Sequence, residues 1–347
     1  MTDARIAATI ASMLLAGAGV RAGDAVSTCF RLGDRTISLI APAATSLAAI
    51  PLTDAFLPVP AVVHGDYAIT VVDDARAGPP PPFSWPPAWN LPFGAVQAEH
   101  TTPCRFALDV HSGSFSAFDP RAREAVVWFH DAERIPYWAA ATPFRLQLSW
   151  IADTFDGEMI HAAGVKIDDR VALIVGSSGA GKSSLALAAT RRGHALMGDD
   201  FLLLSGTQVS CVYRRTKIHD ATVALLGGSV SDVGTVANAA AVGEKRIIDT
   251  HPAHLSTTPA HVAAVFVPRI GDEAGLKPLP AAEAARRTFG PSMQGLLGGS
   301  PMTLTRIVRL MQAVPAFEIT VGPDPELNVR MLELGVRDAD RQSKSAS

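Results

Sequence analysis

The hydrophobic and polar pattern is most legible in the middle of the chain. Residues 171–175 are an unbroken apolar run, as expected for a strand buried on both faces of a parallel sheet. A glycine-rich stretch follows over 176–182, and 183–192 is a good helical sequence closed by Gly193. A second strand is predicted over 195–197, running into Gly198, Asp199 and Asp200. The order is therefore strand, loop, helix, strand, with two carboxylates at the end of the second strand. Beyond it the apolar pattern continues over 201–204. The pattern then predicts a short helix at 216–226, a buried strand at 262–267, a helix at 303–314, a strand at 316–321 and a helix at 326–334.

The front of the chain reads differently. Residues 6–20 are mostly apolar and as long as a secretory-signal core, but Asp3 accompanies Arg5, and Arg21 with Asp24 spoils a cleavage site. The stretch is also shorter than the ~20 residues of a membrane span. It is read as an N-terminal helix packed on its own domain. Segments 30–40 and 67–72 predict strands. Residues 78–92 contain seven prolines with Trp85 and Trp89, which predicts an extended connector. Over 143–156, Phe144, Leu146, Leu148, Ile151, Ala152 and Phe155 share one helical face, and Gly157 ends it. Leu-Leu-Gly-Gly-Ser occurs at both 225–229 and 296–300, a coincidence in a chain this rich in Ala, Gly and Leu.

At 347 residues the chain suits about two domains of ~150 residues. The expected division is an N-terminal α+β accessory or substrate-presenting domain at 1–129, a second domain at 130–337 and a flexible polar tail at 338–347. Apolar residues make up 48% and charged residues 18%, with a net charge of −3, so no basic face for coating nucleic acid is expected. Three widely spaced cysteines, Cys29, Cys104 and Cys211, give neither a zinc pattern nor a disulfide framework. That usage fits a reducing cytoplasm, with no membrane association.

Residues 176–183, Gly-Ser-Ser-Gly-Ala-Gly-Lys-Ser, match the phosphate-loop pattern G-x-x-x-x-G-K-[ST]. Gly176, Gly179 and Gly181 let successive backbone N–H groups of the loop, including those of Ser177, Ser178 and Ala180, turn toward one anion. The following helix adds its positive end through Lys182, Ser183 and Ser184. Lys182 is expected to reach the β- and γ-phosphates of ATP, and the Ser183 hydroxyl to join the Mg²⁺ shell. Phosphoryl transfer also needs a second metal ligand and a group that orients the nucleophile. Asp199 and Asp200 stand one helix and one strand beyond Lys182. Neighbouring strand residues point to opposite faces, so both reach one site only through a bend.

His161 within Met-Ile-His-Ala-Ala-Gly, the loop 176–183, Arg192-Gly193-His194 and Asp199-Asp200, in that order and spacing, resemble the catalytic domain of HPr kinase/phosphorylase. They are closer still to the HPr-kinase-like proteins of bacterial biosynthetic clusters, including kinases that phosphorylate a serine of lasso peptides. The match is strong over 161–204 and looser to 334. The resemblance implies an α/β phosphate-loop core of the HPr kinase and phosphoenolpyruvate carboxykinase type with a mixed sheet. It implies that His161 positions the transferred group, that Asp199 is the base toward the acceptor serine, and that Asp200 assists the metal. ATP and Mg²⁺ are the implied cofactors, and a peptide or small protein the implied partner. HPr kinases assemble into rings, which leaves a homo-oligomer open.

The glycine-rich signature of bifunctional members, close to Leu-Glu-Ile-Arg-Gly-Leu-Gly, is missing between 205 and 267. That removes the basis for expecting phosphorylase activity or HPr as substrate. In its place stand Arg214, Arg215, Lys217, Lys245, Arg246 and Arg269. Looser relatives carry a cation near Lys217 and near Lys245, and Lys245 with Arg246 are the chosen phosphate contacts. Two further readings stay open: an ATPase or switch without an acceptor, and a small-molecule hydroxyl kinase. No Asn-Lys-x-Asp guanine motif is present, and the Leu-Leu-Gly-Gly-Ser segments lack the transporter-ATPase pattern.

Overall fold

In the computed structural model the apolar stretch 6–20 lies within helix Asp3–Ala22 (α1). The structure describes residues 3–43, 52–57, 59, 65–75, 81, 96–101, 104–109, 112–238, 244–295 and 300–346. The proline-rich segment 78–92 and the second Leu-Leu-Gly-Gly-Ser lie almost wholly outside them. The chain forms two units, residues 1–155 with 296–299 and residues 156–295 with 300–347. No helix among the described residues is long and apolar enough to cross a membrane.

The first unit is a seven-stranded mixed sheet. The stretch 30–40 is not one strand but parts of two, Ala25–Leu32 (β1) and Arg35–Pro42 (β2), paired antiparallel around Gly33, whose φ is +66°. A residue with positive φ turns the chain back where the β-branched pattern alone suggests continuation. Tyr67–Asp73 (β3), Val96–Thr101 (β4), Cys104–Asp109 (β5), Ser114–Asp119 (β6) and Glu124–Phe129 (β7) complete the order β1-β2-β3-β7-β6-β5-β4. Ile10, Met13 and Val20 of α1 form a core with Phe115 and Ala117 of β6 and Trp128 of β7. Short helix Tyr137–Ala141 (α2) precedes Arg145–Asp153 (α3). Trp150 stacks near Phe118, and Gln147 Nε2 donates to Ser116 Oγ at 2.5 Å. Strand residues alternate faces, so α1 and α3 cover opposite sides of β6. This packing draws α3 into the first unit, and the division falls between Phe155 and Asp156, not at 129/130.

The second unit contains Gly157–Ile160 (β8), Ala162–Ile167 (β9), Arg170–Val175 (β10), Lys182–Arg191 (α4), Ala195–Gly198 (β11), Leu202–Ser205 (β12) and Gln208–Ser210 (β13). Arg215–Ile218 (β14), Asp220–Leu225 (α5), Gly234–Val236 (β15) and Arg246–Thr250 (β16) follow. Ala260–Ile270 (β17), Gly275–Pro278 (β18), Ala281–Gly295 (α6), Thr303–Ala313 (α7), Ala316–Val321 (β19) and Pro325–Ala346 (α8) complete it. The main sheet runs β11-β9-β10-β17-β13-β12-β8, with β19 beside β17 and β18 beside β19. β10 pairs parallel with β17 and antiparallel with β9, so the sheet is mixed, as expected.

Val171, Leu173, Val175, Val265 and Val267 form one core with Ala284, Ala285, Ile307 and Leu310 of α6 and α7. The alternate residue Phe266 meets α8 closely: a Cβ on Gly335 would lie 2.5 Å from its ring. Helices therefore cover both faces, which explains why β10 and β17 read as continuous apolar runs. Two expectations change. Part of the helix predicted at 216–226 is strand β14, because Thr216–Ile218 pair with Arg246–Ile248 of β16. Residues 338–346, expected as a flexible tail, are the last part of helix α8, in which Val336 and Ala339 are buried.

Candidate functional site

Two chain crossings build the site. Strands β8 and β9 run on from each other through His161, and β11 runs on into β12 through 199–201. Ile160 pairs with Leu202 and Gly164 with Gly198, but between these pairs the ladder is interrupted. Buried backbone donors released by the gap need other acceptors. Ala162 N–H donates to Asp200 O at 3.2 Å, Phe201 N–H to Asp199 O at 2.9 Å, and His161 N–H to Ser292 Oγ at 3.1 Å. Asp200 takes a left-handed φ of +72°, a conformation aspartate tolerates better than most residues. This is the bend that brings two adjacent carboxylates to one side.

Facing them is the loop between β10 and α4. Gly176, Gly179 and Gly181 have φ of +137°, +82° and +102°, conformations that side chains rarely adopt. Lys182 is buried, and its Nζ donates back to Gly176 O at 2.8 Å and Ser177 O at 3.0 Å. Ser183 Oγ donates to Asp199 Oδ1 at 3.1 Å. Asp200 lies between two partners, Lys217 Nζ at 2.6 Å from Oδ2 and His161 Nδ1 at 3.3 Å from Oδ1. These groups line one cavity of about 500 Å³, together with Ser178, Ser184, His219, Thr222, Lys245, Leu225 and Ile270. It opens at the C-terminal ends of parallel β10 and β17, where ligands of α/β sheets bind.

Electrostatics follow from burial. Asp199 is pushed up to about 6, by desolvation first and then by the Asp200 charge. His161 is pulled down to about 4 by desolvation, against the opposing pull of Asp200, so its imidazole is neutral at neutral pH. Burial lowers the Lys182 ammonium from its ordinary value, while Asp199 and Asp200 support its charge. Lys182, Lys217 and Lys245 thus surround two carboxylates in a partly dehydrated space, where an added polyanion meets concentrated positive charge.

Most sequence-predicted site residues meet here. Lys245 lies on the wall, with Nζ 3.4 Å from Ser178 Oγ. Arg246 is not among the lining residues; its Nε pairs with Asp220 Oδ1 at 2.6 Å. Arg246 is the first residue of β16, and Lys245 precedes the strand. Lys217 lines the cavity as well, with its Nζ 2.6 Å from Asp200 Oδ2. Ser184 contributes through Thr222, with the two hydroxyl oxygens 2.9 Å apart. His219, Thr222, Leu225 and Ile270 carried no local signal, because only the tertiary placement of α5 and the end of β17 makes them wall residues.

The residues present also fit a bound divalent cation. No group of three or more His, Cys, Asp or Glu that could hold a metal unaided exists among the described residues. One hydroxyl and one or two carboxylates, completed by substrate phosphates, is the usual arrangement for Mg²⁺. Ser183, Asp199 and Asp200 supply that set.

No protein-family model and no curated protein matches the chain. Among solved structures the chain is similar to the HPr(Ser) kinase/phosphatase from Coxiella burnetii. The two share 17% identity, over 55% of this chain and 94% of that one, with a TM-score of 0.29. A likeness of that size carries no argument about the site, which rests on the geometry above.

Proposed function

We propose that this chain is a Mg²⁺-dependent kinase that moves the γ-phosphoryl group of ATP to a serine hydroxyl of a peptide or small protein. The observation that carries the reading is the opposition of the glycine loop, with Lys182 and Ser183, to the Asp199–Asp200 bend across one cavity. The HPr-kinase-like motif order extends it to biosynthetic peptides of the lasso type. The first unit then presents the acceptor, and the enzyme works in the cytoplasm, where ATP is abundant.

Lys182 exchanges the neutral Gly176 and Ser177 carbonyls for charged phosphate oxygens, which are stronger acceptors for its ammonium. Loop N–H groups and the N-terminus of α4 orient the phosphates. Ser183 with the Asp199 and Asp200 carboxylates would hold Mg²⁺, which would supply charge neutralisation to the phosphates. Lys217 and Lys245 bring further positive charge to the transferring group. The acceptor oxygen forms a bond to the γ-phosphorus as the bond to the β–γ bridging oxygen breaks. ADP leaves, and the acceptor proton passes to an aspartate carboxylate.

The motif order gives Asp199 the base role and Asp200 the metal role. One observation favours the exchange of these roles: the hydroxyl of Ser183 already bonds Asp199, whereas Asp200 bridges Lys217 and His161. In either assignment both carboxylates are required.

ADP formation measured with and without serine peptides tests the reading. Peptide-stimulated turnover is the expected result. Phosphate release at the same rate without any acceptor would make the protein an ATPase, and transfer to free serine but not to peptide would make it a small-molecule kinase.

A further inference from the structure

His161 sits where the ribbon changes partners, so its backbone lacks the cross-strand neighbour that would fix a strand residue. The donor is taken up from far along the chain: His161 N–H donates to Ser292 Oγ at 3.1 Å, across 131 positions of sequence. Ser292 is fully buried in α6, directly after Pro291. Its hydroxyl hydrogen is used on Thr288 O, at 2.9 Å. The oxygen therefore offers His161 only lone pairs, and the bond has one direction. Proline removes a helix N–H and a serine bonded back to its i−4 carbonyl bends a helix, so α6 is locally shaped at this contact.

We infer that Ser292 is a positioning residue that sets the place of His161, and through it the His161–Asp200 contact, in the phosphoryl-transfer site. This inference rests on the kinase reading proposed above. Three features distinguish the contact from ordinary packing. The donor belongs to the one residue between β8 and β9, both hydrogen-bonding functions of the hydroxyl are used, and the ring it steadies faces Asp200 at 3.3 Å and Phe201 at a centroid distance of 5.3 Å. A buried N–H left without an acceptor would let this segment shift, and small misplacements of a reacting constellation can cost up to about 100-fold in rate.

The test is a double-mutant cycle on the full chain, with Ser292→Ala, Ser292→Thr, His161→Ala and the Ser292→Ala/His161→Ala pair. Removal of the hydroxyl should lower kcat by about 10-fold or more while KM for ATP stays within about 2-fold. Threonine should restore most of the rate. In the His161→Ala background the Ser292→Ala change should have no further effect on kcat. Amide hydrogen exchange at His161, which needs no activity, should be protected in the natural chain and in Ser292→Thr but fast in Ser292→Ala. Unchanged exchange at His161, or a Ser292→Ala effect that persists in full without His161, would overturn the inference. Loss of ATP turnover in every form, with His161 exchange behaving as expected, would instead sink the kinase reading and leave the positioning contact standing.

Discussion

At the residue scale the two adjacent carboxylates hold different partners. Asp199 is buried against the Ser183 hydroxyl, and Asp200 carries the His161 and Lys217 contacts. Asparagine at each position separates a proton acceptor from a metal ligand. Replacement of the base should lower kcat by about 10²- to 10⁴-fold without moving the Mg²⁺ concentration for half-activity. Replacement of the metal ligand should raise that concentration by about 10-fold or more. Mg²⁺ titrations of Asp199→Asn and Asp200→Asn decide the assignment, and an Mg²⁺ shift confined to Asp199→Asn would establish the exchanged roles. Cys211 offers a second check. Burial pushes its thiol up to about 12, so at pH 8 it should react with a thiol reagent far more slowly in the folded protein than after unfolding.

Elements were legible in the sequence wherever local pattern and tertiary role agree. The apolar run of β10, the glycine loop, α4 and the apolar lead into Asp199 each carry their signal in a few contiguous residues. The ribbon gap that makes these parts a site does not. It depends on pairings between 157–167 and 195–205, and on a hydroxyl from α6. Strand β14 was hidden for the same reason, since its partner β16 is distant in sequence. Gly198 marks the gap most sharply: φ is +135°, and a Cβ would lie 2.8 Å from Leu202 Cδ2. Gly198→Ala should cost about 1–3 kcal/mol in denaturant unfolding through backbone strain alone, and it should displace Asp199.

Beside β17, buried Glu318 of β19 is held below the usual carboxylate range by Lys277 at 2.9 Å, with Arg287 also at 2.9 Å. A carboxylate lowered on folding stabilises above its unfolded pKa, and that contribution is lost as pH falls through the folded value. The stability difference between the natural chain and Glu318→Gln should therefore shrink as pH drops from about 6 to about 3.

For the whole molecule, a net charge of −3 is compatible with a polyanionic ligand, because Lys182, Lys217 and Lys245 gather at one cavity. Net charge describes solubility and bulk partners, while recognition of phosphate is local. The division between Phe155 and Asp156 also sets where the chain can be cut. A fragment starting at 130 would keep α3 but lose β6, leaving buried Trp150 without Phe118 and buried Gln147 without Ser116. It should be markedly less soluble than a fragment starting at 156, as soluble yield will show.

As a kinase, the protein would use the loop and the Asp pair to transfer phosphate to an acceptor hydroxyl. The most direct measurement follows the label of γ-phosphate-labelled ATP with Mg²⁺ onto serine-containing peptides, for the natural chain and Lys182→Ala. Phosphoserine is expected with the natural chain and essentially none with Lys182→Ala. Equal labelling by both proteins, or label found only in free phosphate, would contradict the kinase reading.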